Sequence, residues 1–107
     1  MQRLRITFSR SEELKYITHL DLMRLWQRVL RRANIPLVYS QGFSPHPRIS
    51  LGAPLAIGVT SSSELMDIFL ERRLSPHFFI KSVKEQLPGG IDILEVEEVG
   101  EIGRAHV

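Results

Sequence analysis

Residues 3–9 change character at every step. Leu4, Ile6 and Phe8 are apolar, whereas Arg3, Arg5, Thr7 and Ser9 are polar. Period-two alternation of this kind marks a strand with one face in a core and the other in water. Whatever completes the fold must therefore cover one side of a sheet. Two segments have the pattern to do so. Thr18-His19-Leu20-Asp21 has capping-box spacing: Thr18 can accept from the backbone at the third helical position, and Asp21 can reach back and favour the positive helix end. From there to about Asn34, Leu22, Trp26, Val29, Leu30 and Ala33 fall on one stripe at helical spacing. Asn34 and Pro36 predict the helix end. Ser75-Pro76 supplies an N-cap followed by proline at the first helical position. Phe79, Ile80, Val83 and Leu87 make the stripe of this second helix, and Pro88-Gly89-Gly90 stops it.

The remaining segments supply strands and turns. Ser11-Glu12-Glu13 reads as a polar turn, with Leu14 to Ile17 available to extend or pair the first edge. Leu37-Val38-Tyr39 reads as a short strand. Ile49 to Val59 reads as a strand with a bulge or bend, because Gly52, Pro54 and Gly58 interrupt it and proline is confined to edges and irregularities in sheets. Ser61-Ser62-Ser63 is a turn. Glu64 to Glu71 returns antiparallel with Met66, Ile68 and Leu70 on one face. Ile91 to Val99 is the last strand, and Glu95, Glu97 and Glu98 suit an exposed edge. The order predicts an α+β fold of the ferredoxin-like, split βαβ kind, an antiparallel sheet with two helices on one face. Residues 1–99 are expected to form this single domain, with Leu4, Ile6, Phe8, Trp26, Val29, Ile68, Phe79 and Val83 in one core. Residues 100–107 fit no element and read as a tail, of which 103–107 could be a cloning remnant.

Composition limits the chemistry. At 107 residues, 43% apolar and 24% charged, the chain is expected to be one soluble globular domain. Its apolar runs are too short to span a bilayer. Its first residues form no hydrophobic signal region, which predicts a cytoplasmic location and no membrane partner. Cysteine is absent. That excludes disulfides, thiolate zinc sites, iron–sulfur clusters and cysteine nucleophiles within these residues. The net charge is only +2, so an anionic partner must be recruited by a local cluster.

One such cluster lies on the first helix. Arg24, Gln27, Arg28 and Arg31 centre on the side opposite the apolar stripe, with Arg32 at the flank and no acidic residue interleaved. Guanidiniums so arranged make a phosphate-binding surface; the bland alternative is a solvated helix face. The stretch from Ser40 to Arg48, Ser-Gln-Gly-Phe-Ser-Pro-His-Pro-Arg, is the other candidate. Gly42 permits positive φ, and Pro45 and Pro47 stiffen their neighbours. That frame carries Ser40, Phe43, Ser44, His46 and Arg48, more polar chemistry than a connection needs. The structural alternative is an Ω-type turn with Phe43 plugging the core and His46 capping carbonyls. Phe43 and Tyr39 could stack on bases, although core packing is the commoner fate of a phenylalanine. A sheet-face RNA-recognition motif is disfavoured, since the wet side of the first strand offers Arg3, Arg5 and Thr7. His19, Asp21 and His46 could serve as ligands or as acid–base groups. The capping box already accounts for Asp21, however, and the spacing matches no metal motif, so no metal site is expected.

Three blocks carry a family resemblance: Tyr16-Ile17-Thr18-His19-Leu20-Asp21-Leu22-Met23-Arg24, Leu30-Arg31-Arg32-Ala33-Asn34-Ile35-Pro36, and Tyr39-Ser40-Gln41-Gly42-Phe43-Ser44-Pro45-His46-Pro47. Together with Leu87-Pro88-Gly89-Gly90-Ile91, they resemble the radical SAM-linked protein family over about residues 3–99. Members stand beside, or extend, cobalamin-binding-type radical-SAM proteins, often near ribonuclease and ribosomal-protein genes. The resemblance implies a radical-SAM protein as partner. S-adenosylmethionine, an iron–sulfur cluster and cobalamin would then sit on that partner and no cofactor on this chain. It also implies an N-terminal portion of a longer unit.

The expected function is thus a non-catalytic accessory domain that acts with a radical-SAM protein and binds RNA or another anionic substrate. The residues involved would be Arg24, Arg28, Arg31, Arg32, Ser40, Phe43, Ser44, His46 and Arg48. The alternative is a small enzyme using His46 and His19. If Leu37-Val38-Tyr39 runs back alongside the first helix, the loop after it should lie near that helix's N-terminal end. His46 and Arg48 would then approach His19 and Arg24 in one basic concavity.

Overall fold

The N-terminal alternation becomes β1, Gln2–Arg10, and β1 lies inside the sheet rather than at its edge. The computed structural model describes residues 2–52 and 63–99. After β1 come α1 (His19–Arg32), β2 (Ile49–Leu51), β3 (Glu64–Leu70), α2 (Pro76–Lys84) and β4 (Ile91–Val99). The strands form one sheet in the order β2-β3-β1-β4, every neighbouring pair antiparallel. This is the ferredoxin-like arrangement expected from the order of elements.

Register decides what each face carries. Leu4 opposes Ile68 and Ile6 opposes Met66 across β1 and β3, and Ile6 opposes Val96 on β4. Their side chains share the face beneath the helices. Arg3, Arg5 and Thr7 share the other face with Asp67 and Phe69. All eight residues expected in the core are there, at most 4% exposed, joined by Leu22, Leu30, Met66, Leu70 and others. Phe8 and Trp26 meet edge to face, with centroids 5.1 Å apart, and so tie β1 to α1.

Both helix starts form as the residues predict. The Thr18 side chain accepts from the Asp21 backbone N–H at 3.0 Å, and the Ser75 hydroxyl accepts from that of Phe78 at 3.1 Å. Asp21 lies 3.9 Å from Arg24 on the next turn. α1 ends two residues earlier than expected, where Asn34 takes φ 59°, a left-handed conformation asparagine tolerates. α2 ends at Lys84, leaving Leu87 outside it but packed on the core. Gly90 has φ 103°, and a Cβ there would meet Ser11 Oγ at 2.9 Å. Glycine thus lets the turn into β4 close against the end of β1, where the Ser11 backbone N–H donates to the Gly90 carbonyl at 2.8 Å.

Three local expectations need correction. The polar turn expected at Ser11–Glu13 forms as a short 3-10 turn, Glu12–Leu14, but Leu14 to Ile17 do not extend or pair the edge of β1. Leu37-Val38-Tyr39 is not a separate strand. Leu37 bridges to Leu70 and the Val38 N–H donates to the Phe69 carbonyl, so these residues open the edge position that Ile49–Leu51 then continues. The expected strand to Val59 is observed only over Ile49–Leu51; residues 53–62, with most of the expected serine turn, lie outside the described residues, as does the expected tail at 100–107. Among the described residues, no helix is long and apolar enough to cross a membrane.

Candidate functional site

α1 turns its apolar stripe to the sheet, and its outward side carries Arg24, Arg28, Arg31 and Arg32, all exposed. With Gln27 they line a shallow groove. Arg24 has a distant partner in Asp21, 3.9 Å away and solvated on both sides. Among the described residues, Arg28, Arg31 and Arg32 have no acidic partner. Arg24–Arg28 and Arg28–Arg32 are like-charge pairs one turn apart, each costing the helix about 0.2–0.5 kcal/mol. Arg31 and Arg32 recover part of this by facing the negative helix end.

Residues 39–47 form an excursion from the sheet edge. The chain pairs with β3 at Leu37 and Val38, leaves, and resumes at Arg48, whose carbonyl accepts from the Phe69 N–H. The excursion is closed at its base: the Arg48 N–H donates to the Val38 carbonyl and the Ser40 N–H to the His46 carbonyl, both at 2.8 Å. Tyr39 bridges to Pro47, and the Ser40 hydroxyl accepts from the His46 N–H at 3.0 Å. Gly42 takes φ 126° at the turn. Ser40, Gln41, Phe43, Ser44 and His46 are all exposed, and only Pro47 is buried. Phe43 therefore does not plug the core, and the closed base holds it away.

The excursion is not at the N-terminal end of α1. Its base pairs with Phe69 and Leu70, and Leu70 faces Gln2 at the start of β1. The N-terminal turn of α1 lies toward the other end, where His19 and Leu22 share a depression with Arg10, Leu51 and Glu64. The reason is the split edge strand: the chain has climbed only two residues of it before the excursion begins. Arg48 parts from the helix arginines as well. Its guanidinium lies 4.4 Å from the centroid of the Phe69 ring, on the sheet face opposite the helices. The single basic concavity expected from His19, Arg24, His46 and Arg48 is replaced by three separate features: the helix face, the edge excursion and the open sheet face.

The open face holds a network that sequence reasoning missed. Asp67, 9% exposed, accepts from Arg3 Nε at 3.0 Å and Arg5 Nε at 2.9 Å, and from Nη2 of each. The Arg3 guanidinium also lies 5.6 Å from the Phe69 centroid, so that ring has one guanidinium from β1 and one from the residue that precedes β2. Burial pushes the Asp67 carboxyl up, but hydrogen bonds from Arg5 and Arg3, with their charges, outweigh it and hold the group below its ordinary value. The hydrogen bond and charge of Asp67 likewise raise Arg5. A carboxyl lowered in the fold stabilises fully above its unfolded value, about 3.9, and loses that contribution as pH falls through the folded one. Asp67→Asn should therefore destabilise the domain by about 1–3 kcal/mol at neutral pH. Urea unfolding should show the gap between variant and wild type narrowing below about pH 4. An unchanging gap would mean that the charge is not what matters. The one hint in the sequence is Asp67 itself, a carboxylate amid apolar β3 residues at the parity of the wet face.

At the α1 start, Glu64 is buried and meets Arg10 Nε at 2.6 Å, while Arg10 Nη1 donates to the Leu14 carbonyl at 3.2 Å. The pair is satisfied internally and ties β3 to β1. Among the described residues, no group of three His, Cys, Asp or Glu side chains could hold a metal ion. His19, on α1, and His46, on the excursion, stand on different elements.

No curated protein matches the chain, and no solved structure does. A family model does match, over residues 3–106, with the description "uncharacterized protein conserved in bacteria". The match runs through every element of the sheet, both helices and the excursion, and the chain accordingly belongs to that bacterial family, DUF2344.

Proposed function

We propose that this chain is a non-catalytic accessory domain that works with a radical-SAM protein and holds RNA by its phosphates on the outer face of α1. The observation that carries this reading is the set of arginines at positions 24, 28, 31 and 32, exposed on one groove with Asp21 as their single acidic neighbour among the described residues. A helix face that merely needs solubility gains from alternating signs, whereas this one accepts self-repulsion. Guanidiniums match phosphate oxygens in bidentate geometry, and displaced counterions make such binding fall steeply with salt. The partner is supported by the family resemblance. The absence of cysteine from these residues agrees with it, since a radical-SAM cluster must then be held elsewhere.

Two measurements test the proposal. Affinity capture of the chain from cells should bring down a radical-SAM protein together with RNA. Titration of the purified chain with single-stranded RNA should show binding that weakens as salt is raised and is lost when the four arginines are replaced by alanine. The rival reading, a small enzyme using His46 and His19, gains if the isolated chain turns over a substrate and captures neither partner. RNA binding indifferent both to salt and to the four substitutions would also overturn the proposal.

A further inference from the structure

Phe43 is an aromatic side chain with nothing to pack on. It is fully exposed, at 107%, while Trp26, Phe8 and Phe79 are completely buried. Disorder does not explain this, because the excursion is closed by the Ser40–His46 and Val38–Arg48 backbone bonds, the Ser40 hydroxyl and the Tyr39–Pro47 bridge. Pro45 and Pro47 limit the backbone further. The ring is thus presented on a preorganised support. An aromatic with only two side-chain torsions then loses little entropy when something covers it.

We infer that Phe43 is a stacking platform for one unpaired base of a single-stranded nucleic acid whose phosphates lie along α1. The inference rests on the RNA reading above and adds strandedness and a base contact to it. Two observations favour a base over an apolar socket on a protein. The residues that flank the ring along the excursion are Ser40, Gln41, Ser44 and His46, all exposed. A dry socket would have to desolvate these groups, whereas the edge of a stacked base can hydrogen-bond to them. The base of the excursion is also within reach of the cationic end of α1: Arg32 is followed six residues later by Val38, a backbone span of at most about 20 Å. A single strand leaving Arg31 and Arg32 can therefore pass over the excursion. A duplex keeps its bases stacked on one another and offers Phe43 no free face.

The test compares a fluorescent oligouridylate with its duplex with oligoadenylate, at one fixed salt concentration, on the whole chain. Phe43→Ala should weaken single-strand binding roughly five- to hundredfold, the range for loss of one aromatic–base stack. Duplex affinity should not move, and neither should the unfolding temperature, since the ring touches nothing in the domain. Phe43→Trp should keep single-strand affinity, and its exposed indole emission should be quenched by the oligonucleotide, distinguishable from buried Trp26. If Phe43→Ala leaves single-strand affinity unchanged while the arginine-to-alanine chain loses it, the stacking inference falls and the RNA reading stands. If the wild-type chain binds neither oligonucleotide, both fall. An effect of Phe43→Ala confined to capture of a protein partner would also overturn the inference.

Discussion

Trp26→Ala is expected to destabilise the domain by about 3–5 kcal/mol, the range for deleting a large buried aromatic. Trp26 is completely buried, meets Phe8 edge to face and sits in the middle of the stripe by which α1 covers the sheet. A small domain has only about 5–15 kcal/mol in total, so the variant should be partly unfolded under conditions where wild type is fully folded. Urea unfolding followed by far-ultraviolet circular dichroism measures this directly. Trp26→Phe should cost less. It keeps a ring against Phe8 and removes an indole N–H that has no hydrogen-bond partner among the described residues, a group that is costly to bury. Native fluorescence should show a blue-shifted, buried indole that moves to the red on unfolding. Emission of an exposed indole in the folded protein would mean that the register of α1 on the sheet is wrong.

The second large effect is expected on binding. Replacing Arg24, Arg28, Arg31 and Arg32 together by alanine should abolish measurable RNA binding and leave the fold intact. Each phosphate contact on a single strand contributes about 0.7 to the slope of log affinity against log salt. If all four arginines make one such contact, the slope should be shallower by up to roughly 3 in whatever binding remains. Stability should change by no more than about 1 kcal/mol. The lost attraction of Arg31 and Arg32 to the helix end is offset by relief of the two like-charge pairs and by the higher helix propensity of alanine. A plain solvated face would give the same stability result with no change in binding, so the titration separates the two. The prediction is sharper because Arg48, the next arginine in the sequence after these four, lies on the opposite sheet face against Phe69. Arg48→Ala should leave the α1-dependent salt slope as it was.

The local readings that succeeded concern faces and ends. Alternation at residues 3–9 was enough to send Leu4, Ile6 and Phe8 inward. Thr18 and Ser75-Pro76 mark where helices begin, because an N-cap is a contact between residues three apart. The stripe through Leu22, Trp26 and Val29 identifies the covered side of α1, and by subtraction the arginine side. These features depend on periodicity and on partners close in sequence, so single residues report them reliably.

What only the tertiary structure decided depends on partners far apart. Nothing between Tyr39 and Pro47 says that Arg48 will resume the edge pairing begun by Leu37 and Val38 on Phe69 and Leu70. Without that, the excursion is misplaced by most of the height of the sheet, and Phe43 reads as a core plug. Asp67 shows the same limit. Its parity assigns it to the wet face, but its binding of both Arg3 and Arg5 follows from the β1–β3 register, which opposes Arg5 to Asp67 and Arg3 to Phe69 across more than sixty residues. Periodicity fixes the side to which a residue points. Register and the closure of long loops determine what it meets there, because those depend on the core as a whole rather than on any one segment.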